Sequence, residues 1–178
     1  MDEYRPNSAF LMSVAAGDVC LSRNMFAEEN LLLLLELMRD DDASNRDWVT
    51  FLLAQTDLDT DAVRCALLAS ARDEETDVRA EAIHGLAMRD RSLALPLVKN
   101  ALREETISMP VLESATLCSD KSLIEDLRVW SAIISERWLR GYLDEAIAAC
   151  ERGSVLEFGW HRWASDLVCQ TKKWTSAA

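Results

Sequence analysis

Apolar residues return along this chain in pairs set four apart: Leu33 with Leu37, Val63 with Leu67, Leu93 with Leu97, Leu123 with Leu127. Two apolar positions at i and i+4 mark one face of a helix. The pair recurs every thirty residues, so one buried stripe is written four times. A fainter set lies half a period away: Trp48 and Val78, then Leu52, Ala82 and Leu112, then Leu53 and Ile83. Each unit therefore contains two helices.

Local signals agree with that division. Asn45, Thr60, Thr76, Ser92 and Ser122 are good N-caps, and Ser122-Leu-Ile-Glu125 spells a capping box. Acidic residues crowd the first turns, as the helix dipole favours. The pattern predicts helices at 8–22, 25–39, 45–55, 60–71, 76–88, 92–104, 109–118, 122–135, 137–151 and 159–172. Connections are a few residues long, and no strand-like alternation separates the helices. The expected fold class is all-α, an α-solenoid of about four to five antiparallel helix pairs, each burying its stripe against its neighbours. Residues 1–178 are read as one solenoid domain. Its parts are N-terminal capping helices (1–44), the repeats proper (45–135) and aromatic-rich C-terminal helices (136–178).

Thr76-Asp-Val-Arg-Ala-Glu-Ala-Ile-His-Gly-Leu-Ala87, with Asp90 and then Leu93-Ala-Leu-Pro-Leu-Val98, resembles the short HEAT repeat of the phycobilisome-lyase type. That repeat has an acidic turn, Val-Arg, an Ala-rich first helix, a short turn with Asp, and a second helix carrying Ala-x-Pro-x-Leu. Residues 76–104 match it well. Residues 45–75 match in spacing, with Trp48 and Phe51 where small residues are usual, and residues 109–135 match mainly in the second helix. The resemblance implies a HEAT-like fold and says little of activity, since scaffolds, lyases, hydroxylases and immunity proteins all use it.

Composition narrows the function classes. In 178 residues, 49% are hydrophobic and 28% charged, enough for a core and against intrinsic disorder. With 5 Gly and 3 Pro, a many-stranded β fold would lack turn residues. Lys and Arg total 19 against 31 Asp and Glu, a net charge of −12. That field disfavours nucleic acid, which needs clustered basic side chains, and the tightest groups are only Arg89/Arg91, Arg137/Arg140 and Lys172/Lys173. A HEAT-like DNA glycosylase groove, invited by the late tryptophans, is set aside on the same ground. The start Met1-Asp2-Glu3 is the reverse of a secretory leader, and the run Leu31–Leu35 is far short of the ~20 apolar residues that cross a bilayer. Cys20, Cys65, Cys118, Cys150 and Cys169 are odd in number and contain no C-x-x-C pair, as expected for free thiols in a reducing cytoplasm.

Tests for catalytic chemistry return little. His84 is followed by Gly85 and His161 by Arg162, so the His-Glu dipeptides of the di-iron hydroxylases with this repeat are missing. His84, mid-helix beside an apolar stripe, is read as a packed histidine rather than a ligand. No nucleophile elbow, phosphate loop or dinucleotide fingerprint can be spelled from the five glycines. Cys65 and Cys118 sit in Ala- and Leu-rich helical surroundings, where a buried inert thiol is the plain reading. No cofactor, metal site or catalytic residue is assigned, and nothing specifies a bilin site beyond the repeat itself.

Binding is the remaining theme. Residues 1–110 hold 21 of the 31 acidic side chains and 11 of the 19 basic ones. Asp40, Asp41 and Asp42, then Asp73, Glu74 and Glu75, then Glu104 and Glu105 fall at successive repeat boundaries. In a stack whose helix axes lie about 8–10 Å apart, such turns line one edge. The expected function is a protein-binding HEAT-repeat module: an acidic bacterial, cytoplasmic immunity or regulatory protein that neutralises a basic partner such as a toxin domain. The alternative is an enzyme or lyase-like subunit with a site on the concave face around Arg64, Lys99 and Arg128. Trp130, Trp138 and Tyr142 are expected to pack a closing helix pair. Trp160 and Trp163, three apart after Gly159, are expected to seal the C-terminal end or form a contact patch, with homo-oligomerisation through that end as a further expectation.

Overall fold

A computed structural model describes residues 5–21 and 25–155. All regular structure among them is helical. The chain divides into two compact units, one built on Met1–Leu58 and the other on Asp59–Leu156.

The second unit holds α4 (Asp61–Ser70), α5 (Thr76–Arg89), α6 (Arg91–Ala101), α7 (Met109–Cys118), α8 (Ile124–Ile133) and α9 (Arg137–Arg152), with a 3-10 turn at Lys121–Leu123 leading into α8. Helices α5, α7 and α9 pack side by side as a row; α4 and α6 lie on α5, α6 also on α7, and α8 on α9. Small buried residues permit the close approach within the row: Ala80, Ala82, Gly85 and Ala87 on α5, Ser114 and Ala115 on α7, Ala146 and Ala149 on α9. The outer helices each contribute one stripe to the core. Val63 and Leu67 do so from α4, Ala94 and Val98 from α6, and Leu123 and Leu127 from α8 and its leading turn, all six fully buried.

That stripe corrects the strict thirty-residue register. Val63/Leu67 and Leu123/Leu127 are the predicted residues, but in α6 the buried pair is one residue later than Leu93/Leu97, which are only half-buried. The helix start differs as well. Asp90, not Ser92, caps α6, its carboxylate accepting from the Leu93 backbone N–H at 3.1 Å. In this register Pro96 points to solvent. Ser122 likewise is not the cap of α8: Asp120 accepts from its N–H at 2.8 Å and a 3-10 turn precedes the helix. Thr60 caps α4 as expected, through Val63 N–H.

The first unit holds α1 (Ala9–Ala15), α2 (Ala27–Leu37) and α3 (Ala43–Ala54), with α1 and α2 both packed on α3. The predicted helix 8–22 ends at Ala15 because Gly17 takes a left-handed φ of 77°, and the N–H groups of Asp18 and Val19 turn back onto the Ser13 carbonyl. α3 starts earlier than predicted, capped by Asp42. Asn45, the expected cap, instead accepts from Ser8 N–H at 2.9 Å and so ties α1 to α3. In α2 and its C-cap the buried positions are Leu34 and Met38, again one residue beyond Leu33 and Leu37, and Leu33 is exposed. The predicted helix 159–172 lies outside the described residues.

Candidate functional site

The acidic turns are built around arginines. Arg46, Arg79 and Arg140 each occupy the fourth position of their helix, α3, α5 and α9. Arg46 Nη1 donates to the carbonyls of Asp40 and Asp41 at 3.0 and 3.3 Å. Arg79 Nη1 donates to those of Asp73 and Glu74, both at 2.9 Å. Arg140 reaches Ile134 and Ser131 in the same manner, at 2.9 and 3.1 Å. A cation near a helix N-terminus opposes the dipole, yet here each folds back to satisfy carbonyls of the preceding turn.

Several of the carboxylates singled out in the sequence have local work. Asp40 accepts from Asp42 N–H at 2.8 Å, and Asp73 from Glu75 N–H at 3.0 Å. Asp42 accepts from the Asn7 side-chain amide and from Ser44 N–H, and these bonds hold its carboxyl below the usual range. Glu104 takes the second arm of Arg79, Nη2 to Oε2 at 2.8 Å. Asp41, Glu74, Glu75 and Glu105 are exposed. Since Arg79 holds the 73–74 carbonyls and the Glu104 carboxylate at once, the turns before α5 and before α7 are neighbours on one edge of the second unit. Asp40, Asp41 and Asp42 belong to the first unit, on the turn between α2 and α3.

The cationic row has partners of its own. Arg64 forks onto Asp59 at 2.6 and 2.8 Å and reaches Asp90, the cap of α6, at 3.0 Å. Those carboxylates raise the guanidinium pKa. Arg128 pairs with Glu151 at 3.0 Å, and Lys99 acts on Asp120.

The aromatic end is less uniform than expected. Trp130 anchors α8, its indole N–H donating to the Leu102 carbonyl at 2.7 Å. Trp138 is not packed into a core but 62% exposed, with Val129 and Ile133 also exposed, because α9 turns Leu139, Leu143 and Ala146 inward instead. Trp160 and Trp163 lie outside the described residues. Cys65 is exposed rather than buried, opposite the Val63/Leu67 stripe. Cys118 and Cys150 are withdrawn thiols, pushed up to about 12 and about 11 mainly by burial, which suppresses thiolate chemistry.

One polar pair escaped the sequence reading. His84 on α5 and Glu113 on α7 stand with Nδ1 and Oε2 4.0 Å apart, their side chains 12% and 16% exposed. His84 Nδ1 is buried without a hydrogen-bond partner. Burial lowers His84 to about 4, with Arg89 adding to the effect, and raises Glu113 to about 7. The signal was present in the half-period set: Ile83 and Leu112 are both core residues 29 apart, and His84 and Glu113 are the residues that follow them. Among the described residues, no three His, Cys, Asp or Glu side chains gather to hold a metal ion, and no helix is long and apolar enough to cross a membrane.

Among the described residues the protein is all-helical. Comparison with known proteins adds a relative. Over 92 residues the chain is 28% identical to Protein YibA of Escherichia coli K12, and equally to Protein YibA of Escherichia coli O157:H7, a stretch covering 52% of this chain and 33% of each relative. The chain thus spans about a third of the length of the curated relatives it matches. An X-ray structure of E. coli YibA aligns with a TM-score of 0.58 at 20% identity, covering 80% of this chain and 54% of that one. At that identity the likeness is one of fold. No family model matches the chain.

Proposed function

We propose that the chain is a HEAT-like α-solenoid of about four to five helix pairs of the phycobilisome-lyase type. Its proposed role is to bind protein: an acidic cytoplasmic immunity or regulatory protein that neutralises a basic partner such as a toxin domain. The buried stripe recurring at 63/67, 94/98 and 123/127, and the row formed by α5, α7 and α9, support the solenoid reading. The observation that carries the binding reading is Arg79. By joining the 73–74 turn to Glu104, it brings exposed Glu74, Glu75 and Glu105 onto one edge. A concentrated field of one sign steers and orients an oppositely charged protein. The enzyme reading gains nothing from the cationic row, because Arg64 and Arg128 are engaged by carboxylates.

The test removes exposed carboxylates of that edge. In E74S/E75S/E105S the exposed carboxylates are removed, while Asp73 keeps its turn and Glu104 its arginine. A tagged full chain is used to capture partners from its host, and association of the captured basic protein is followed at increasing salt. The variant is expected to associate more slowly and with a flatter salt dependence, at unchanged helicity. Identical association by variant and parent would remove this edge as the binding surface.

A further inference from the structure

His84 and Glu113 sit on two helices of the tightly packed row, largely withdrawn from solvent, their nearest polar atoms 4.0 Å apart and not hydrogen-bonded. Were both charged, each would bear the cost of leaving water for a single through-space attraction. Buried ion pairs recover that cost only when further hydrogen bonds complete them. The surroundings give no such completion to an imidazolium. Arg89, one turn further along α5, acts on His84 with like charge, and His84 Nδ1 has no partner. Burial alone is what acts on Glu113.

Several of the neighbouring charges have partners elsewhere. On α5, Glu81 stands one turn before His84, and Arg89 donates to the Gly85 carbonyl at 2.8 Å. On α9, the Tyr142 phenol feels Glu113 and is itself raised mainly by burial, while Asp144 is exposed. On α6, Arg91 acts on Cys118 and Lys99 on Asp120. On α4, Arg64 is held by Asp59 and Asp90. Facing each other from α5 and α7 are one carboxyl and one imidazole with one proton to place.

We propose that His84 and Glu113 form an uncharged acid–imidazole pair joining α5 to α7, with the proton on Glu113, and that loss of this proton loosens the α5–α7 contact. An un-ionised carboxyl can donate to imidazole Nδ1 once the two close by about 1 Å to hydrogen-bonding distance. The carboxylate cannot donate, so keeping the bond requires the imidazole to move its own proton to Nδ1, and a negative charge is left buried beside the Tyr142 phenol. Burial acts on both groups in the direction the proposal needs, raising Glu113 and lowering His84. The pair is then a latch operated by a proton.

Carbon NMR of the full chain labelled at glutamate Cδ and at the histidine rings, titrated between mildly acidic and mildly alkaline pH, decides the protonation state without any substitution. The expected result is one carboxyl with its midpoint shifted from 4.5 to about 7, absent from E113Q, and a His84 ring neutral down to about 4. Amide exchange, corrected for its intrinsic pH dependence, is expected to show several-fold loss of protection in α5 and α7 as that carboxyl ionises, and no such step in E113Q. A Glu113 that is carboxylate throughout, facing a protonated His84 near pH 6, would overturn the pair. Unchanged protection across the Glu113 titration would overturn the latch. Should E113Q not fold, assignment in the parent chain yields both readouts.

Discussion

An arginine four residues into a helix is an unexpected choice, because its charge opposes the dipole there. Arg46, Arg79 and Arg140 are explained by the carbonyls they collect from the preceding turn. A guanidinium can serve several acceptors at once, whereas an ammonium is a single point. Arg79→Ala is therefore expected to lower stability by about 1–3 kcal/mol, with Arg79→Lys recovering only a minor part, as measured by urea unfolding. Equal stability of the lysine variant and the parent would show that charge alone suffices. At the His84–Glu113 pair the signs can be worked through. Glu113 is raised from 4.5 to about 7, so its stabilisation is full below 4.5 and is lost as pH rises through about 7. His84 is lowered from 6.5 to about 4, so its stabilisation is present above 6.5 and is lost as pH falls through about 4. Between 4.5 and 6.5 the slopes cancel. In His84→Gln the Glu113 slope stands alone, and stability measured against the parent is expected to fall with rising pH across that window. A parallel profile would remove the burial of Glu113 as its cause.

At the scale of elements, much was legible because helices announce themselves by spacing. Val63/Leu67 and Leu123/Leu127 were named from periodicity and are fully buried. The register inside α2 and α6 was not legible, since a strict period assumes equal turns, and α6 takes its cap from Asp90 where Ser92 spells an equally good one. The buried stripe steps from 34 to 63 to 94 to 123, by 29, 31 and 29 residues, so no step is the strict thirty. Val98→Ala is accordingly expected to cost more than Leu97→Ala, although it deletes less side chain, because only Val98 is fully buried. Leu67→Ala sets the scale at about 2–5 kcal/mol. Thermal unfolding of the three variants reads the order directly, and a Leu97 variant as costly as the Leu67 one would restore the strict period. The end of α1 at Ala15 depended on a left-handed Gly17, and the exposure of Trp138 on which face of α9 turned inward. Neither is fixed by apolar spacing. His84 and Glu113 were obscured for another reason: each is a single polar residue between apolar ones, and their meaning arises only when α5 and α7 meet.

For the whole molecule, acidic side chains outnumber basic ones by 31 to 19, and those at the described turns and caps serve different ends. Some build turns and caps: Asp40, Asp42, Asp73, Asp90 and Asp120 accept from backbone N–H groups, and Glu104 receives Arg79. Others, including Glu74, Glu75 and Glu105, stand exposed along the edge that Arg79 draws together in the second unit. Sequence spacing alone weighed all eight turn carboxylates alike, and the geometry is what separates them. The most direct test of the proposed role is the salt dependence of partner association by the full chain and its E74S/E75S/E105S variant, with the partner captured from the native host and identified by mass. The expected result is a basic protein retained by the parent at low salt, released as salt rises, and held weakly or not at all by the variant. Failure of the parent to retain any basic protein, or equal retention by parent and variant at every salt concentration, would contradict the proposed role.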